Sequence, residues 1–386
     1  MSNLENLIKD ANVNWLALSK CASIVTGQRV TKRDLDIDKG YPVFSGGVTP
    51  MGFYDHCNQD ADTIIIVKYG TAGFVNFIRE KFWANDVCYC IQPGAELNKK
   101  FLFYFLKANQ ILIHSLATDA IPAHLPAEEI SKLQIPIPPL KIQKEIVSIL
   151  DKFTELKAEL KAELKARNKQ YKYYRDNLFN FNDNEVDWKT LGEMGEFIRG
   201  KRFVKTDMIS DGVPCIHYGQ MYTHYGIWAD RAKSFVSPEL VKKKNLRTAE
   251  KGDVVFVAAG ETIEDIGMGT AWYGDEGVVI HDACFFYKSD LNPKYVAYFT
   301  RTDDFSRQIR KSVSSGKISA INAKGLSKVI IPIPNIAEQE RIVSILDKFD
   351  ILTTSISEGL PKEIKLRQKQ YEYYRDKLLT FPKEIK

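Results

Sequence analysis

At 386 residues, with 44% hydrophobic and 27% charged side chains, the chain is long enough for two or more domains, each with its own core. No apolar run reaches the ~20 residues that cross a bilayer. The start, MSNLENLIKDANVNW, lacks the basic and apolar stretches of a secretory signal, so a cytoplasmic location is expected. The net charge of +5 permits nucleic-acid binding, but residues 1–134 and 182–330 are each near neutral and the clearest basic excess lies in 135–181, which argues against a strongly basic DNA-wrapping protein.

In chain order, residues 1–138 read as a first compact domain. TIIIVKY (63–69) is a strand candidate, and SGG (45–47) and GTAG (70–73) are turns. In VCYC a strand would place Cys88 and Cys90 on one face. The six cysteines, at 21, 57, 88, 90, 215 and 284, contain no CxxC pair, so buried reduced thiols are expected and no metal site. IPIP (135–138) closes the domain, because its prolines favour extended backbone and exclude helix interior.

Residues 139–181 then predict one long helix. Ile146, Ile149, Leu150, Phe153, Leu156, Leu160 and Leu164 recur at three- and four-residue steps, a single apolar stripe. Its middle reads LKAE, LKAE, LKAR; a four-residue unit advances about 400°, so Leu forms one slowly drifting row. Residues 182–334 predict a second compact domain, with DVVFVAA (253–259) as a strand and GMG (267–269) and SSGK (314–317) as turns. A second helical region, 335–386, carries its own stripe at Ile342, Leu346, Phe349, Leu352, Ile356, Leu360 and Ile364, with a local kink expected at Gly359 and Pro361.

The chain is written twice. IPIPPLKIQKEIVSILDKF (135–153) returns as IPIPNIAEQERIVSILDKF (331–349), and RNKQYKYYRDNLFNF (167–181) as RQKQYEYYRDKLLTF (367–381). The domains repeat more faintly: Trp15 and Leu18 answer to Trp188 and Leu191, TIIIVKYG to DVVFVAAG, and NDVCYC (85–90) to HDACFF (281–286). A lone helix of this length leaves its stripe exposed. The two stripes can pack on each other as an antiparallel coiled-coil spacer with internal pseudo-two-fold symmetry; the plainer alternative is that each packs on its own domain. The expected fold class is α+β, with two α/β domains separated by the two helices.

These residues resemble the specificity subunits of type I restriction–modification enzymes. The two IPIP segments look like the family's IP-P-hydrophobic-x-x-Q-x-x-I region, and SILDKFTELKAELKAELKARNKQYKYYRDNL resembles the subgroup with a four-residue repeat in its central conserved helix. YPVFSGGV (41–48) and IIIVKYGTAGFV also look like recognition-domain sequence. The resemblance implies two target-recognition domains, each reading one half of a bipartite double-stranded DNA target in the major groove. It implies helices that set the spacing and dock two modification subunits, which bind S-adenosylmethionine, with restriction and translocation subunits added. No cofactor is expected in this chain.

The rival readings are a stand-alone adenine methyltransferase and a coiled-coil scaffold with no DNA role. The first needs a [DNS]-P-P-[YF] tetrapeptide, and the nearest strings, FSGG (44–47) and IPNI (333–336), lack the form. No P-loop GxxxxGK[ST] occurs. Glu261, Glu264 and Asp265 read as a solvated loop. His281–Asp282 answers to Asn85–Asp86, which favours a structural role for the Asp, and no catalytic residue is assigned. The DNA-reading candidates are Gln28, Arg29, Lys32, Ser45, Lys68, Tyr69 and Thr71 in the first domain. In the second they are Lys201, Arg202, Tyr218, Gln220, Lys233, Ser314 and Lys317. Gln suits adenine edges, Arg and Lys guanine edges, and the hydroxyls and remaining Lys phosphates.

Overall fold

The computed structural model describes residues 12–382 except 183, 261–262, 315–318 and 356. The expectations for Lys317, Ile356 and Glu261, and for the Glu264 side chain, lie outside the described residues. The chain forms two compact units, Met1–Lys161 with Glu363–Lys386, and Ala162–Lys362. Each therefore combines one of the two sequence-defined domains with parts of both helical regions.

The first unit is built on an antiparallel sheet in the order Ala22–Thr26, Cys88–Pro93, Thr63–Val67, Val75–Ile78. TIIIV is apolar throughout because both of its faces are covered. Ile64 and Ile66 join the core that contains Phe101, Ile146 and Leu150, while Ile65 faces Phe44, Phe82, Cys88 and Cys90. Cys88, Cys90, Cys215 and Cys284 are buried free thiols as expected, but Cys21 and Cys57 are half-exposed.

The second unit repeats the plan with additions. One sheet runs Gly195–Arg199, Cys284–Ser289, Val254–Val257, Gly269–Trp272, Trp228–Ala229, and a second is ordered around Val213–Ile216. The repeat extends to register. Asn14–Ala17 pairs with Gln134–Ile137, setting Trp15 opposite Pro136, and Asp187–Thr190 pairs with Ile330–Ile333, setting Trp188 opposite Pro332.

Leu140–Leu178 is one unbroken helix of 39 residues, about 58 Å long at 1.5 Å per residue. The second region is interrupted: Ile336–Thr354 ends and Leu360–Leu378 begins afresh. At Gly359 a Cβ would lie 2.3 Å from Ile351 O and 2.7 Å from Leu352 O, so only glycine fits. Pro361 follows in the first turn of the new helix, where its missing N–H costs nothing.

The stripes pack differently along their length. Ile146 and Leu150 are fully buried within the core of the first domain, and Ile342 and Leu346 within that of the second. The start of each stripe thus anchors its own domain, and the same core takes in the other helical region, through Leu378 and Phe381 in the first unit and Phe179 in the second. Further along, packing between helical regions is aromatic within each unit. Phe153 stacks on Tyr374 (5.5 Å between centroids), and Phe349 on Tyr171 (6.0 Å) and Tyr174 (5.5 Å). Phe153–Tyr374 together with the Lys157–Gln368 hydrogen bond makes the pairing in the first unit antiparallel. Leu156, Leu160, Leu164, Leu352, Leu360 and Ile364 are half-buried.

The same hydrogen bonds clamp each domain to its helix. Gln143 Oε1 accepts from Asn98 N–H (2.7 Å) and its Nε2 donates to Pro138 O (2.7 Å); Gln339 does the same with Asn292 N–H (2.9 Å) and Pro334 O (2.9 Å). Asp151 accepts from Tyr104 and Lys100 (both 2.6 Å), and Asp347 from Tyr298 and Lys294 (both 2.7 Å). Buried amide bonds and partly buried charge-assisted bonds together fix the orientation of one body on another.

Candidate nucleic-acid interface

In the first domain, one end of the sheet gathers the loops that carry most of the candidates. Gln28 N–H donates to Ala84 O (2.9 Å), Asn85 N–H to Phe44 O (2.9 Å), Lys68 N–H to Val87 O (2.7 Å) and Thr71 N–H to Gly46 O (2.9 Å). Gly27 permits this approach: a Cβ there would sit 2.3 Å from Ala84 O. Gln28, Arg29, Ser45, Lys68, Tyr69 and Thr71 are thereby brought together, and Lys32 is exposed in the adjoining turn Lys32–Asp34.

Within this group the side chains are unequally free. Gln28 and Arg29 are exposed. Tyr69 is stacked on His124 (4.5 Å between centroids), and the Lys68 ammonium lies 5.3 Å from the Tyr69 ring and 5.6 Å from that of Tyr89. This holds Tyr69 as a rigid surface ring beside a cation. Thr71 Oγ1 donates to Gly46 O (3.0 Å), leaving its oxygen able only to accept.

The second domain builds the same end differently. Gly200 N–H donates to Cys284 O (3.0 Å), Lys201 N–H to Ile280 O (3.0 Å) and His281 N–H to Ile216 O (3.2 Å). A Cβ on Gly200 would meet Ile280 O and His281 O at 2.3 Å, so it answers to Gly27. Around this point stand Lys201, Arg202 and Tyr218, with Lys233 tied to the same region through its N–H to Tyr225 OH (2.8 Å). Ser314 is exposed and its hydroxyl donates to Ala320 O (3.0 Å).

Gln220 is the exception among these candidates. It is buried, its Nε2 donates to Ser234 Oγ (2.6 Å), and its Oε1 accepts from His217 N–H (3.1 Å). It completes the cap of the helix Tyr218–Thr223 and presents nothing to a ligand.

Sequence reasoning also missed His217. Its ring lies 4.5 Å from that of His281, with Tyr218 at 4.6 Å and 5.3 Å from the two and Phe203 edge-on to both. Burial, reinforced by the neighbouring imidazole, pushes the His217 pKa down to about 4, and burial also lowers that of His281. Neutral rings at pH 7 form a rigid base under Tyr218 without adding charge. Arg199 and Arg247 were overlooked too. Both are exposed, and Arg247 Nη1 donates to Arg199 O (2.7 Å) beside Gly200. The run Arg199-Gly200-Lys201-Arg202 was the available signal.

The arrangement offers donors, cations and fixed rings at each domain's loop end, suited to base edges and phosphates. Among the described residues no group of three or more His, Cys, Asp or Glu is placed to hold a metal, and no helix is long and apolar enough to cross a membrane.

Comparison with known proteins gives a consistent result. The family model described as the type I restriction modification DNA specificity domain matches residues 17–167 and again 185–366. The Escherichia coli type I restriction enzyme EcoR124I/EcoR124II specificity subunit is 34% identical, over 99% of this chain and 98% of its own length. A putative type I restriction enzyme specificity subunit of Haemophilus influenzae, S.HindORF215P, is 33% identical over 98% of both. Among solved structures, the type I restriction-modification S subunit from M. genitalium superposes with TM-score 0.59 at 19% identity, covering 97% of this chain and 98% of that one. A chain from a study of complex assembly and conformational transition of the type I R-M system gives 0.62 at 15% identity, covering 96% and 98%.

Proposed function

The chain belongs to the type I restriction modification DNA specificity family, and from that premise we propose how it works: each domain's loop end reads one half of a bipartite DNA target while the helical regions hold the two readers apart. It is a sequence-specificity subunit, supplying recognition to a complex whose methyl transfer resides in other chains. In this reading two modification subunits dock on the helices and bring S-adenosylmethionine, and restriction subunits join that assembly.

The observation that carries the reading is the duplicated clamp. Gln143 with Asp151, and Gln339 with Asp347, fasten two diverged domains by the same bonds to two helices that share the run IVSILDKF. Two reading heads fastened by the same set of bonds suit a target in two parts. Gln28, Arg29, Lys68, Tyr69, Lys201, Arg202 and Tyr218 would contact bases, and Lys32, Ser45, Thr71, Lys233 and Ser314 phosphates. Gln220, buried with both ends of its amide bonded inside the domain, contacts no DNA in this reading.

The purified chain alone is expected to transfer no methyl group from labelled S-adenosylmethionine to DNA. With modification subunits added, the mixture should methylate adenine at one bipartite sequence and bind that duplex in a salt-dependent manner. Methylation by the isolated chain, free of other subunits, would overturn the reading.

A further inference from the structure

The two units differ in charge where the recognition domain meets its helices. In the second unit Arg301 Nη2 donates to Gly269 O (3.2 Å), and the half-buried Asp350 carboxylate supports its charge. In the first unit the corresponding cation is Lys107, whose Nζ donates to Val75 O (2.9 Å) at the matching strand position. By the internal repeat, however, Asp350 corresponds to Thr154 and Thr353 to Lys157. The internal carboxylate is missing and a second ammonium has been added.

Lys107 and Lys157 line a cavity of about 470 Å³ that also takes in Arg79, Phe77, Phe153 and Arg375. Among the described residues none of the nearby carboxylates bonds either lysine directly, although Glu372 supports the Lys157 charge through space. Asp151 is bonded to Lys100 and Tyr104, Asp376 to Arg375, and Glu372 accepts from Gln368 Nε2. Lys157 Nζ donates to the neutral Gln368 amide. Burial lowers the pKa of both lysines, helped at Lys157 by the neighbouring Lys161 and opposed there by Glu372, while the partners of Lys107 Nζ are neutral: Val75 O, Gln110 Oε1 (3.2 Å) and the Phe74 ring (4.2 Å).

We propose that this cavity receives an Asp or Glu side chain of the modification subunit, supplying from a partner what Asp350 supplies from within in the second unit. The proposal rests on the reading that the chain assembles with modification subunits. A DNA phosphate is the poorer fit. Arg79 follows Ile78, which pairs with Thr63, the end of the central strand remote from Lys68 and the reading loops. The aromatic walls suit the carbon stem of a protein side chain.

The test uses the full chain titrated with modification subunit. Thr154→Asp, which fills the cavity with the chain's own carboxylate, is expected to weaken that binding roughly tenfold or more, and Lys157→Met to weaken it similarly. In the unaltered complex, Lys107 and Lys157 should lose reactivity toward an amine-acylating reagent when modification subunit binds, but not when a DNA duplex alone is added. Unchanged affinity in both variants, or full reactivity of both lysines in the assembled complex, would overturn the proposal. Failure of the unaltered chain to bind modification subunit would instead contradict the functional reading.

Discussion

Deleting Leu160–Glu163 is expected to shorten the non-specific spacer of the DNA target by one base pair and to leave both half-sites unchanged. Four residues are about 6 Å of helix, nearly two base-pair rises if the helix ran parallel to the duplex and less if it is tilted. The deletion rotates the helix by only about 40° beyond a full turn, a mismatch that DNA twist can absorb. Local structure survives because the unit repeats. Leu164 takes the half-buried place of Leu160, and Glu159 becomes the i,i+4 partner of Arg167, replacing the Glu163–Arg167 pair (2.7 Å). Mapping methylated sites in cells that carry the deletion reads the spacer directly. An unchanged spacer in an active complex would mean that the repeat only packs.

Leu150→Ala is expected to destabilise the first unit by about 2–5 kcal/mol, the range for a fully buried leucine whose cavity cannot collapse. Leu150 is 0% exposed and shares a core with Ile64, Phe101 and Leu378. Leu160→Ala, at a half-buried position of the same stripe, should cost much less. In denaturant the transition of the first unit should move while that of the second stays, and equal losses for the two variants would show that the stripe is one uniform seam.

Much of this was legible in the sequence because duplication and helical periodicity are local patterns. The long helix, a kink near Gly359 and extended backbone at the two IPIP segments were legible from residue spacing and proline chemistry, though the kink is a full break between two helices. The division of labour along the stripe was not, since Ile146 and Leu160 look alike until the domain folds over the first. Gln143 and Gln339 were visible as repeated letters, but their role depends on backbone groups at 96–98 and 292 that only folding brings near. Gln220 was misplaced for a similar reason: an amide on a polar stretch looks free until Ser234 arrives from another strand.

Each reader is fastened to its helix by the same clamp, and the chemistry of that clamp leaves readers exchangeable. Gln143 bonds only backbone groups, at Asn98, Glu96 and Pro138, so another domain of the same fold can satisfy it. The most direct measurement replaces residues 1–134 with a different recognition domain, assembles the chain with its modification subunits, and sequences the methylated sites. One half of the target should change, while the other half, read by the domain of Gly200 and Tyr218, stays as it was. A change in both halves would mean that the two domains do not read independently.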